Sequence, residues 1–146
     1  MNLQQVQWGE AICLVHALFP ELSFHIISPE KLAPNDIAVA FEAAGIQLAW
    51  KELEGDALGD PEILQELIAD IEHLSGQAIL ICGGCHKNTN AAPFIVPTAE
   101  LQTFVSKFME HTGEPCFASD AVIVVPDQRV LFMVKNRRSI VSYRTP

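Results

Sequence analysis

A chain of 146 residues, 49% apolar and 18% charged, can bury about 70% of its unfolded surface around one core without metal or disulfide staples. That composition excludes a disordered segment, and a net charge of −9 argues against nucleic acid as a partner, because phosphate backbones require positive charge. The most apolar stretches, Ala11 to Pro20, Gln77 to Gly84 and Ala121 to Pro126, are shorter than the roughly 20 residues of a membrane-spanning helix.

The first ten residues carry Glu10 but neither Lys nor Arg, so the basic flank of a secretory signal is missing from them. A cytoplasmic protein is expected, with Cys13, Cys82, Cys85 and Cys116 as thiols rather than disulfides. Trp8, Ile12, Val15 and Phe19 recur at helical spacing, which predicts a helix over 3–18 stopped by Pro20. Ser23 to Ser28 is β-rich. Pro34-Asn35-Asp36 opens a short Ala-rich helix, and Gly45 stands where a left-handed C-cap would end it. In Ile46 to Lys51 the apolar Ile46, Leu48 and Trp50 alternate with Gln47, Ala49 and Lys51, the period of a half-buried strand.

After a turn at Gly55 to Gly59, Asp60-Pro61-Glu62 reads as a helix start, with Asp60 as the cap. Ile63, Leu64, Leu67, Ile68, Ile71 and Leu74 supply its buried face, and Gly76 ends it. Gln77 to Cys82 is a continuous apolar run, as in a central strand. A polar loop then leads to a short strand at Phe94 to Val96. Thr98 is placed to cap a last helix whose Leu101, Val105, Phe108 and Met109 face the core, with Gly113 closing it. Cys116 to Val125, Arg129 to Val134 and Ile140 to Arg144, joined by short polar links, predict an antiparallel meander. The expected fold is a single α+β domain over 1–146, with helices packed on one face of a mainly antiparallel sheet.

Charge is unevenly distributed. All eighteen acidic residues lie at or before Asp127, whereas five of the nine basic ones (Arg129, Lys135, Arg137, Arg138 and Arg144) follow it. Glu52, Glu54, Asp56, Asp60, Glu62, Glu66, Asp70 and Glu72 fall in a stretch with no Lys or Arg. Spaced by four, Glu62, Glu66 and Asp70 line one helix edge, where each like-charge pair costs about 0.2–0.5 kcal/mol. A one-signed patch suits docking of a basic protein partner; it also suits a face that merely keeps the protein soluble. Arg137 and Arg138 in a strand turn are candidates for an anion site or a blunted sheet edge.

Cys82-Gly83-Gly84-Cys85-His86 follows a predicted strand. Covalent haem attachment uses this spacing but takes place outside the cytoplasm. A dithiol redox pair places its first Cys at a helix N-terminus, whereas Asn88-Thr89-Asn90 and Pro93 indicate a loop. Zinc could take Cys82, Cys85 and His86, with Cys116 or His111 as the fourth ligand. The structural alternative makes Cys82 a small hydrophobe at a strand end, followed by a tight glycine turn.

The sequence holds no nucleophile-elbow, zinc-protease, P-loop or dinucleotide motif. Among the scattered histidines, His16 and His25 fall in apolar elements, and His73 is three residues from Asp70, the spacing of a helical ion pair. Trp8 and Trp50 lie on apolar stripes and are expected in the core.

The C-terminal stretch resembles the end of small α+β immunity proteins of bacterial polymorphic-toxin systems. The resemblance rests on Glu100-Leu101 and Phe104 in a helix, then Phe117, Asp120, Val122-Ile123-Val124, Asp127 and Val130 to Val134, about a third of the chain. It implies a non-catalytic inhibitor that binds a cognate toxin and carries over no binding residue. The leading expectation is therefore an acidic protein-binding module without a cofactor, directed at a basic partner. The alternative is a small zinc-binding or thiol-redox protein centred on Cys82, Cys85 and His86.

Overall fold

A computed structural model describes residues 4–22, 32–54, 58–71, 73–86 and 91–145. The strand expected at Ser23 to Ser28, with His25, the turn at Gly55, and the acidic residues Asp56 and Glu72 lie outside that set, as does the side chain of His86. The first helix, α1, spans Trp8–Leu18, five residues shorter at its start than its periodicity predicts. The residues before it are taken by a sheet edge: Gln5 bridges to Phe94, and Val6 N–H donates to the Pro93 carbonyl at 3.0 Å. Tertiary pairing overrides the local helical period there.

Helix α2 covers Pro34–Ala43, and Gly45 follows it with φ +74°, the left-handed geometry a glycine adopts without steric cost. Residues 46–50 run on without joining the sheet, and the ladder begins only at β1, Lys51–Glu52. Helix α3 is Asp60–Ile68. Strands β2 (Gln77–Ile81) and β3 (Phe94–Pro97) are followed by α4 (Leu101–Thr112). The chain finishes with β4 (Ala121–Val125), β5 (Val130–Lys135) and β6 (Ser139–Arg144). Gly113, with φ +81°, closes α4 as expected. Thr98 does not cap it, because its hydroxyl donates to the Gly76 carbonyl at 3.1 Å and a short 3-10 turn over Thr98–Glu100 precedes the helix.

Every pairing in the six-stranded sheet is antiparallel, in the order β1-β6-β5-β4-β2-β3. The C-terminal meander is present, and β2 lies inside the sheet between β4 and β3. The α+β class is thus as read from the sequence, but the helices are not confined to one face. Ile63, Leu64 and Leu67 of α3 and Phe104, Val105 and Phe108 of α4 pack on Ala121, Ile123, Val125, Phe132 and Val134. Ile12 and Val15 of α1 and Ile37 and Phe41 of α2 pack on Val122, Val124, Leu131 and Met133. The reason lies in β4 and β5, which are apolar at both odd and even positions; a strand of that kind requires cover on both sides.

Burial decides why α3 forms despite its acidic edge. Each fully buried Leu or Ile contributes about 1.5–3 kcal/mol by transfer from water, several times the like-charge cost. Two residues expected inside are not: Met109 is 57% exposed and Trp50 37%. Among the described residues no helix is long and apolar enough to cross a membrane.

Candidate functional site

The acidic run divides into two groups. Glu62 and Glu66 project from the exposed side of α3, opposite the buried Ile63, Leu64 and Leu67. Asp70 is exposed as well, but α3 ends at Ile68, so the row of four-residue spacings is completed by a turn rather than by helix. The neighbouring strand β1 supplies Glu52, whose carboxylate accepts from the Ser139 hydroxyl at 2.7 Å, and exposed Glu54 follows it.

A cation relieves part of this field, contrary to the unrelieved repulsion expected. Lys51 Nζ meets Glu66 Oε2 at 2.9 Å. That hydrogen bond, then the Glu66 charge, hold the ammonium above its usual pKa, and Asp70 and Glu54 act in the same direction. These carboxylates therefore surround one lysine on a surface shared by β1 and α3. The pair itself is exposed and contributes little to stability; its value is to locate the patch.

Asp60 does something different. It is not the cap of α3, since Gly59 holds that position. Asp60 Oδ2 accepts from the Cys116 backbone N–H at 2.7 Å, and Oδ1 accepts from Arg137 Nη1 at 2.6 Å. The same guanidinium donates to the Phe117 carbonyl at 2.9 Å and to the Leu58 carbonyl at 2.8 Å. With its side chain only 10% exposed, Asp60 is a clamp point and not a docking contact. Arg137 is likewise engaged inside the fold rather than offered to an anion.

The clamp accounts for an unusual turn. Asn136 and Arg137 have φ of +54° and +58°, and Arg138 N–H donates to the Lys135 carbonyl, so both central residues of the β5–β6 turn are left-handed. Such turns favour Asn-Gly. Arg in the glycine position is strained by roughly 1 kcal/mol or more, which the guanidinium's three hydrogen bonds offset. The missing glycine was the signal in the sequence that Arg137 has a structural task.

The thiols meet behind this clamp. Cys82 directly follows β2, the 3-10 turn Gly83–His86 carries Cys85 back over it, and Cys116 lies in the connection between α4 and β4. Cys82 backbone N–H donates to Cys85 Sγ at 3.5 Å, Cys85 Sγ donates to the Leu80 carbonyl at 3.5 Å, and Cys116 lies close enough to both for their thiols to influence one another. None of the three is more than 2% exposed. The hydrogen bond with Cys82, then burial, push the Cys85 thiol far up; burial, then Cys82, do the same for Cys116. Protonated, buried thiols are poor nucleophiles. No group of three or more His, Cys, Asp or Glu side chains among the described residues is arranged to hold a metal ion.

Among the described side chains, His16, His73 and His111 do not assemble with these groups. His16 and His111 are exposed on α1 and α4, and His73 lies beyond the end of α3, so its helical relation to Asp70 does not form. Trp8 is half-buried, and its Nε1–H donates to the Ala91 carbonyl at 2.9 Å. Comparison with known proteins finds no matching family model, no matching curated protein and no matching solved structure.

Proposed function

We propose that this chain is a non-catalytic, acidic protein-binding module, of the immunity-inhibitor kind, that neutralises a basic protein partner. The observation that carries this reading is the set of exposed carboxylates at β1 and α3: Glu54, Glu66 and Asp70 act on Lys51, Glu62 is exposed on α3, and Glu52 stands on the other face of β1. One-signed surfaces of this kind accelerate encounter with oppositely charged proteins and disfavour wrong ones. Asp56 and Glu72 belong to the same run in the sequence. Asp60 is set aside as a contact because Arg137 and Cys116 already occupy its oxygens.

The test is capture from the protein's native cells by the wild type and by a triple variant, Glu62→Lys, Glu66→Lys and Asp70→Lys, with bound proteins identified by mass spectrometry at low and high salt. One basic protein retained in near-stoichiometric amount, weakened by salt and lost in the variant, is the expected result. Capture unchanged by the triple reversal would remove this surface from the function.

A second reading is a structural zinc site using Cys82, Cys85 and His86 with Cys116 as the fourth ligand, which would require the three thiols to rearrange from the packing described. Thiolate and imidazole nitrogen suit Zn²⁺, whose binding would displace the thiol protons. Metal analysis of the purified protein and of Cys85→Ser separates the two readings: stoichiometric zinc lost in the variant supports the site, and metal-free wild type opposes it.

A further inference from the structure

The two edges of the sheet are treated differently by the chain. At the β3 edge the N-terminal segment pairs alongside, with Ile95 N–H donating to the Gln4 carbonyl at 2.9 Å and Val6 N–H to Pro93. At the other edge, among the described residues, no strand lies outside β1.

Register determines what that open edge presents. Lys51 stands opposite Ile140 and Glu52 opposite Ser139, and Leu53 N–H donates to the Arg138 carbonyl at 2.6 Å. Leu53/Arg138 is therefore a hydrogen-bonded pair of the antiparallel ladder, and by alternation Lys51/Ile140 is another. Glu52 is the position between them, and its N–H and C=O point away from β6. Side chains alternate in the same way. Lys51 meets Glu66 of α3, and Leu53 packs on the core beneath α3, which leaves Trp50 and Glu52 on the opposite face of the edge. Trp50 is 37% exposed there.

Open edges invite pairing, and charge selects the partner. A second copy of this chain would bring Glu52 against Glu52 and one acidic surface against another. A strand with basic side chains on one face meets Glu66 and Asp70 there, while its other face meets Trp50 and Glu52 beside Lys135 and Arg138.

We propose that the β1 edge takes up an extended, basic segment of the partner by strand addition. The outward N–H and C=O of Glu52 make the backbone contact, Trp50 is the aromatic anchor, and Lys or Arg side chains at every second position face Glu66 and Asp70. This rests on the acidic-module reading and specifies how that surface is used.

The test uses a fluorescently labelled nine-residue peptide of alternating lysine and threonine, and the same peptide N-methylated at every backbone amide, which keeps its charge but has no N–H to donate on either edge. Anisotropy titrations of the full chain at low salt should show the methylated peptide binding at least about tenfold more weakly, the loss expected from two missing hydrogen bonds. Glu52→Pro removes the outward donor while leaving the Lys51 and Leu53 bonds to β6, and should weaken the unmethylated peptide more than Glu52→Gln, which removes only charge. The two peptides give the answer without depending on how well the proline variant folds. Equal affinities for both peptides, lost when Glu66 and Asp70 are reversed, would overturn strand addition and keep the acidic module. Binding that ignores both methylation and charge reversal would overturn both, and failure of the unmethylated peptide to bind would overturn strand addition alone.

Discussion

Asp60 and Glu62 are two residues apart in one acidic run, yet the fold gives them opposite tasks. Asp60 is buried against Arg137 and the Cys116 amide, 77 and 56 positions away in the chain. Glu62 is exposed on α3, with its carboxylate folded back over Gly59 at the helix start, where the helix dipole favours negative charge. Charge alone does not distinguish a structural carboxylate from a binding one. What does is whether a distant donor reaches it.

Removing the buried member should therefore have the largest effect. Asp60→Ala strands a guanidinium that is about two-thirds buried and orphans the Cys116 amide, and is expected to lower stability by about 2–3 kcal/mol, read from the urea midpoint. A loss below about 0.5 kcal/mol would show that solvent satisfies Arg137 as well as Asp60 does.

The thiols next to this clamp should respond to alkali. Cys85 and Cys116 have folded pKa values raised above the ordinary thiol value, so their contribution is fully present below about pH 8.5. Above that, the unfolded chain releases protons that the folded one retains, and stability should fall by about 1 kcal/mol per pH unit for each thiol. Urea midpoints at pH 7.5 and 9.5 for wild type and Cys85→Ala test this, with a shallower decline expected in the variant; identical slopes would place the titration elsewhere.

The exposed member should matter least to folding. Glu62→Gln is expected to change stability by less than about 0.5 kcal/mol while slowing association with the basic partner, an effect that shrinks as salt rises. Stability loss comparable to that of Asp60→Ala would erase the distinction between the two residues.

Local signals were sufficient for much of the fold. The Asp60-Pro61-Glu62 start of α3, the glycine after α4 and the short links of the β4–β6 meander all act within a few residues, and each element stands where they indicate. The two-sided layering has its signal in the unbroken apolar runs of β4 and β5, against the expectation of helices on one face. What failed depended on distant partners. Residues 4–6 leave a helical pattern to pair with β3, Trp50 leaves the core stripe because the ladder starts only at Lys51, and Thr98 turns to Gly76 instead of capping α4. The acidic surface was readable as a run of residues. Its division by Arg137, and its neutralising lysine, were not, because both partners come from other elements.

The two-residue ladder of β1 joins positions separated by about ninety residues of chain, whereas the meander closes through links of a few residues. Closing the longer loop carries the greater entropic cost and is repaid by few hydrogen bonds. In kinetic terms β1 is expected to join the sheet last and leave it first, opening locally while the rest stays folded. Its amides should exchange with solvent sooner than those of β4 and β5, and the acidic surface is complete only while that strand is in place.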